Sequence, residues 1–157
     1  MLDNMLILPD SLFIMTKLFD KEAFLKEFQA VTKQAVNPER PTQRLYDDKV
    51  LMEILDNRRP LKDYQVELFS LMSLEKGKGH AGKAVQALTR LADKYNIGIV
   101  VYAAPSDRQE GSLTRHQLFK FFKARGFWGI SSCTEMYRPS SLDRSVIQPS
   151  LCAAISP

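Results

Sequence analysis

Residues 76–83 read Lys76-Gly77-Lys78-Gly79-His80-Ala81-Gly82-Lys83, with three glycines and three lysines in eight positions. Glycine lets a backbone turn tightly and approach a ligand closely. The stretch falls between a segment with strand character and one with helical periodicity. The first amides of a helix beginning at Lys83 therefore point back into it with the positive end of the helix dipole. Amides, dipole and lysines together make a site for phosphate oxygens. The competing reading is an ordinary surface loop with solubilising lysines. His80 within the loop and His116 in a later helix are read as exposed histidines in preference to reacting groups.

Periodicity defines the elements that must position this loop. Residues 66–74 alternate loosely and predict a strand, and 83–95 place Ala84, Leu88, Leu91, Ala92 and Tyr95 at helical spacing. Residues 97–104 form a near-continuous apolar run, as expected of a strand buried on both faces. Such a strand, loop, helix and strand make a βαβ crossover with parallel strands. Further on, 113–124 predict a helix that packs Leu118, Phe121 and Phe122 and ends at Gly126; 127–130 and 134–138 predict short strands. Upstream, 11–18 read as a strand. Asp20 caps a helix to about Ala35 with Phe24, Leu25, Phe28 and Val31 inward, and 44–56 fit a second helix with Leu45, Val50, Leu51, Ile54 and Leu55 inward. Arg58 and Arg59 fall in a polar loop. The fold class is α/β (α+β), a mixed central sheet flanked by helices, in one domain spanning 1–157 with an irregular tail from 139.

Composition narrows the partners. The chain has 157 residues, 45% of them hydrophobic, enough for one core. Its net charge of +4 is uneven: residues 1–65 carry ten Lys+Arg against eleven Asp+Glu, and 66–157 carry twelve against seven. The basic half suits an anionic partner. Nucleic acid is the weaker candidate, because no Lys/Arg run interleaved with aromatics marks a binding face. Cys133 and Cys152 match no metal spacing and read as free thiols of a reducing compartment, so no metal is expected. Neither a signal peptide nor a run long enough to cross a bilayer is readable, which points to a cytoplasmic protein without a membrane partner.

Two phosphate-binding signatures overlap the loop. Gly77-x-x-x-x-Gly82-Lys83 has the P-loop spacing, but Ala84 stands where a Ser or Thr should ligate magnesium, and Asp107 substitutes poorly for the distal acidic ligand. Lys76-Gly77-Lys78-Gly79-His80-Ala81 also fits the Gln/Arg-x-x-Gly-x-Gly/Ala signature of the GNAT acetyltransferases, with Lys at the first place. The order of the downstream segments strengthens that likeness: Val101-Tyr102-Ala103-Ala104-Pro105, then Leu118-x-x-Phe121-Phe122-x-x-x-Gly126-Phe127, then Thr134-Glu135-Met136-Tyr137-Arg138. Residues 66–138 resemble short GNAT-superfamily acetyltransferases encoded by phages and mobile elements. The first half departs from that family, since its second and third strands are not evident.

The resemblance implies a GNAT-like acyl-CoA N-acyltransferase fold that binds acetyl-CoA as co-substrate and moves its acetyl group to an amine. It implies a pyrophosphate on the amides of Gly77, Lys78, Gly79, His80, Ala81 and Gly82, with Lys76 beside them. It also implies a pantetheine arm held by backbone groups of Met72 and Leu74 between splayed strands, and an amide near Met72 that polarises the thioester. Glu67, the acidic residue of the strand leading to the loop, is the candidate base that removes a proton from the amine; the plainer reading is that it solvates one strand face. Phe122 stands where many such enzymes carry a tyrosine acid, so transfer without that acid, and tolerance of Phe122→Tyr, are expected. The acceptor is an amine, with a protein lysine or N-terminus of a host target among the candidates, and the same reading allows a homodimer. The alternative function is a non-catalytic module that binds CoA or protein.

Overall fold

The computed structural model describes residues 19–58, 60–105, 113–130 and 133–140. The predicted strand at 11–18, Asp107 and most of the tail lie outside them. Among the described residues, three helices and six strands occur in the order α1 Lys21–Val31, β1 Lys33–Gln34, β2 Gln43–Tyr46, β3 Val50–Leu55, β4 Gln65–Ser73, α2 His80–Tyr95, β5 Gly98–Tyr102, α3 Arg115–Lys123 and β6 Glu135–Arg138. The strands form one mixed sheet in sequence order, with β4 and β5 parallel and every other pair antiparallel. The class is therefore mixed α and β, and the predicted crossover from β4 through α2 to β5 is present.

The segment 44–56 is a β-hairpin and not a helix. Lys49 N–H donates to the Tyr46 carbonyl across 3.0 Å, closing a turn in which Asp47 and Asp48 both have positive φ, 51° and 56°. That is the turn whose twist matches a hairpin, and aspartate tolerates it better than most residues. Along β3, Val50, Met52 and Ile54 enter the core while Glu53 is buried on the opposite face. Apolar residues on both faces concealed the two-residue period. Arg44, read as helical, sits in β2 and donates to the carbonyls of Gln29 and Thr32, capping the end of α1. α1 stops at Val31, whose side chain is exposed, and not near Ala35. Its cap is as expected, the Asp20 carboxylate accepting from Ala23 N–H.

The core is one cluster. Phe24 and Phe28 of α1 and Ala84, Val85, Leu88 and Ala92 of α2 pack on Met52, Ile54, Val66, Leu68, Ile99 and Val101. Each large side chain so buried contributes about 1.5–3 kcal/mol. Phe122 continues the cluster edge-to-face with Phe121 and Phe127, at 5.1 and 5.2 Å between centroids. A bidentate ion pair from Arg138 to Asp93, 2.8 and 2.9 Å, ties β6 to α2. The predicted strand at 127–130 reduces to one bridge between Trp128 and Tyr137. Cys133 is disulfide-bonded, against the expectation of a free thiol; sequence spacing carries no information on which sulfurs meet in space.

Two irregularities of β4 open one edge of the sheet. Its pairing with β3 slips between Glu53 and Ile54: Ser70 opposes Glu53, Leu68 opposes Ile54, and Phe69 is the extra residue of a β-bulge. Its ladder with β5 runs only from Gln65–Gly98 to Leu68–Val101, while β4 continues to Ser73. Past the bulge, the edge of β4 that faced β5 has no strand partner among the described residues.

Candidate functional site

The loop after β4 begins beside that open edge. Ser73 Oγ donates to the Glu75 carbonyl across 2.8 Å, turning the chain out of the sheet, and residues 74–79 are exposed. Gly77 and Gly79 both have φ of 77°, and a Cβ at either would meet nothing within 4 Å. Backbone conformation, and not crowding, demands glycine at both positions. α2 starts at His80, three residues before the predicted start at Lys83, with Gly79 as a cap that offers no side-chain acceptor. Among the described residues no acceptor takes the amides of Gly77 through Gly82; the loop's own bond runs from Lys83 N–H to the Gly79 carbonyl, 3.2 Å. A helix start left open in this way presents its donors and its dipole to an anion.

Gly82 serves a different purpose. It is buried, and a Cβ there would collide with Nη2 of Arg125. The Arg125 guanidinium lies over the Phe121 ring at 3.9 Å and donates through Nη1 to the Phe121 carbonyl, 2.8 Å. No carboxylate pairs with it among the described residues, and burial lowers its pKa. Between α2 and the end of α3 opens a cleft of about 520 Å³, lined by Gly79, Gly82, Lys83, Gln86, Thr89, Ala124 and Arg125. A partly buried cation with no carboxylate partner among the described residues, beside an uncapped helix start, can serve as a second anion-binding element. Sequence reading passed over Arg125; its one signal is its place just before the Gly126-Phe127 pair.

The strand residues divide between the β3 side and the open edge. Leu74 N–H is spent on the Lys49 carbonyl at 2.8 Å, and Met72 pairs with Leu51, so both backbones turn toward β3. Strand alternation then directs the backbone groups of Leu71 and Ser73 to the open edge. Glu67 is wholly buried on the sheet face away from α1 and α2, and its carboxylate accepts from Nε and Nη2 of Arg58 at 3.0 and 2.9 Å. It does not solvate a strand face, and Arg58 is its partner where a solvated loop arginine was expected. The bond to Glu67 is the main cause that raises the Arg58 pKa. His80 is largely buried, with Nε2 3.4 Å from the Glu75 carboxylate and without a hydrogen bond, whereas His116 is exposed as expected.

Ala84, at the place where a P-loop needs its magnesium-binding hydroxyl, is buried in the core. Among the described residues no group of three His, Cys, Asp or Glu is placed to hold a metal ion. No helix among them is long and apolar enough to cross a membrane. Compared with protein-family models, curated proteins and solved structures, the chain matches none.

Proposed function

We propose that this protein binds acetyl-CoA and transfers its acetyl group to an amine. The observation that carries the reading is the placement of the open amides of Gly77 through Gly82 at the end of β4, where the β4–β5 ladder has already stopped. A pyrophosphate on those amides leads into a gap edged by backbone groups of Leu71 and Ser73, where an extended pantetheine arm can add itself as a strand would. Lys76, Lys78, Lys83 and Arg125 supply positive charge around the same mouth. The likeness of 76–81 to the GNAT signature, and of 101–138 to the segments downstream of it in those enzymes, supports the same conclusion.

Transfer joins the amine nitrogen to the thioester carbonyl carbon and breaks the carbon–sulfur bond. Positioning the two reactants supplies most of the rate. The amine loses a proton, for which Glu67 is the candidate acceptor, and the CoA thiolate takes one from solvent. Phe122, buried and without a hydroxyl, takes no part.

The test is calorimetric titration with CoA and with magnesium-ATP, followed by thiol release from acetyl-CoA in the presence of amines. CoA binding and amine-dependent release are expected; ATP binding with no response to CoA would sink the reading. A second reading is favoured by one observation: both Glu67 oxygens are engaged by Arg58. CoA binding without turnover toward any amine would make the protein a CoA-binding module. If Glu67 is the base, Glu67→Gln lowers thiol release at neutral pH and alkaline pH partly restores it.

A further inference from the structure

The sheet face opposite α1 and α2 holds two buried carboxylates, and each is met by an arginine that lies on the same aromatic ring. Glu67 takes Nε and Nη2 of Arg58, and Glu53 takes Nη2 of Arg40 and the hydroxyl of Thr42. The Arg58 guanidinium stands 4.6 Å from the centroid of Phe69 and that of Arg40 stands 5.7 Å from it. Phe69 is the bulge residue, exposed, at the point where β4 and β5 part.

A guanidinium is a planar fork of five N–H donors. Among the described residues nothing accepts from Nη1 of Arg58, nor from Nε or Nη1 of Arg40. The two side chains are 44% and 38% exposed, so these unspent edges reach solvent. Contact with the Phe69 ring consumes no hydrogen-bond donor of either guanidinium. Each fork is thus held by a carboxylate and an aromatic ring, with donors left over on a part-exposed side chain. That arrangement suits a carboxylate, which accepts two parallel N–H bonds. A bare anion would add negative charge beside the buried carboxylates of Glu53 and Glu67. A group that carries its own ammonium next to its carboxylate leaves the net charge unchanged.

We infer that Arg40 and Arg58, set beside Phe69, form the acceptor subsite of the reaction proposed above, and that the acceptor is a primary amine with a carboxylate close to it. This rests on the acetyl-transfer reading. The carboxylate sits on the outward guanidinium edges, which sets the amine near Phe69 and the point where β4 and β5 part. Two sources present this chemistry, a free amino acid and a peptide N-terminus followed by an acidic residue. In either case nitrogen displaces sulfur at the acetyl carbon, CoA leaves, and an N-acetyl amide remains.

The experiment compares matched amines as acceptors of acetyl-CoA: glycine against glycinamide, and the peptide amides Gly-Asp-Gly and Gly-Asn-Gly, with rates referred to the unprotonated amine. In at least one pair the carboxylate-bearing member should have a kcat/KM about tenfold higher or more, carried mainly by KM. The first pair identifies small amino acids and the second acidic termini. Arg58→Lys keeps the charge but loses the fork, and Arg40→Gln leaves the Glu67 pair intact; each should reduce the preference to about threefold or less with CoA affinity unchanged. Equal kcat/KM within both pairs, or a preference that survives both variants, overturns the inference. Should no amine be acetylated, the transfer reading fails by itself and binding decides the subsite. N-acetylglycine and N-acetylglycinamide are then titrated against the CoA-loaded protein and monitored by NMR. Carboxylate-selective shifts that Arg58→Lys abolishes uphold the subsite, and their absence overturns it.

Discussion

Gly77, Gly79 and Gly82 look alike in the sequence and differ in what each allows. The first two permit a left-handed backbone, and the third permits Arg125 to lie against the start of α2. Gly79→Glu adds backbone strain and a negative charge to the proposed pyrophosphate site, and should abolish CoA binding by calorimetry while the circular dichroism of the fold is kept. Arg125→Ala should weaken CoA about tenfold or more, as loss of a charged hydrogen-bond donor does; unchanged affinity would place the phosphates elsewhere. Phe122 is buried between Phe121 and Phe127, so the added hydroxyl of Phe122→Tyr should cost about 1–3 kcal/mol of stability, whatever its effect on transfer. Thermal unfolding would read that as a fall of about 2–4 °C for each kcal/mol.

At the scale of elements, the Asp20 cap of α1 was legible and starts its helix as its side chain suggests. The structure adds a capping box of Thr114 and Gln117 at the start of α3. The hairpin of β2 and β3 was misread because its turn carries Asp47-Asp48, where an Asn-Gly pair would have announced it. Asp48→Val should destabilise the protein by about 1–2 kcal/mol in a denaturant melt, since a β-branched residue resists positive φ. Asp48→Gly should be neutral or stabilising. The reverse order would mean that the turn's geometry is not what Asp48 supplies. Likewise the bulge at Phe69 leaves no mark in the sequence. It shifts the alternation of β4, so that Leu71 opposes Met52 and packs against the core although Leu68, three residues earlier, also faces it.

For the molecule as a whole, binding and stability are linked. A ligand present at 100 times its Kd stabilises the native state by about 2.7 kcal/mol, so CoA should raise the unfolding temperature and Gly79→Glu should remove that gain. Breaking the Arg138–Asp93 pair tests the opposite end of α2: Asp93→Asn should cost about 1–3 kcal/mol without altering CoA affinity, because it leaves a mostly buried guanidinium poorly paired. What the sequence by itself determined were local matters: the crossover from β4 through α2 to β5, the Asp20 cap, the glycine-rich loop and the absence of a magnesium-binding hydroxyl at Ala84. Each depends on residues within a few positions of one another, where spacing fixes geometry. Only the tertiary structure decided that Arg58 grips Glu67, that Arg125 reaches Gly82 and that β4 and β5 part after Leu68. Those contacts join residues whose separation along the chain says nothing of their distance in space; packing of the whole sheet brings them together.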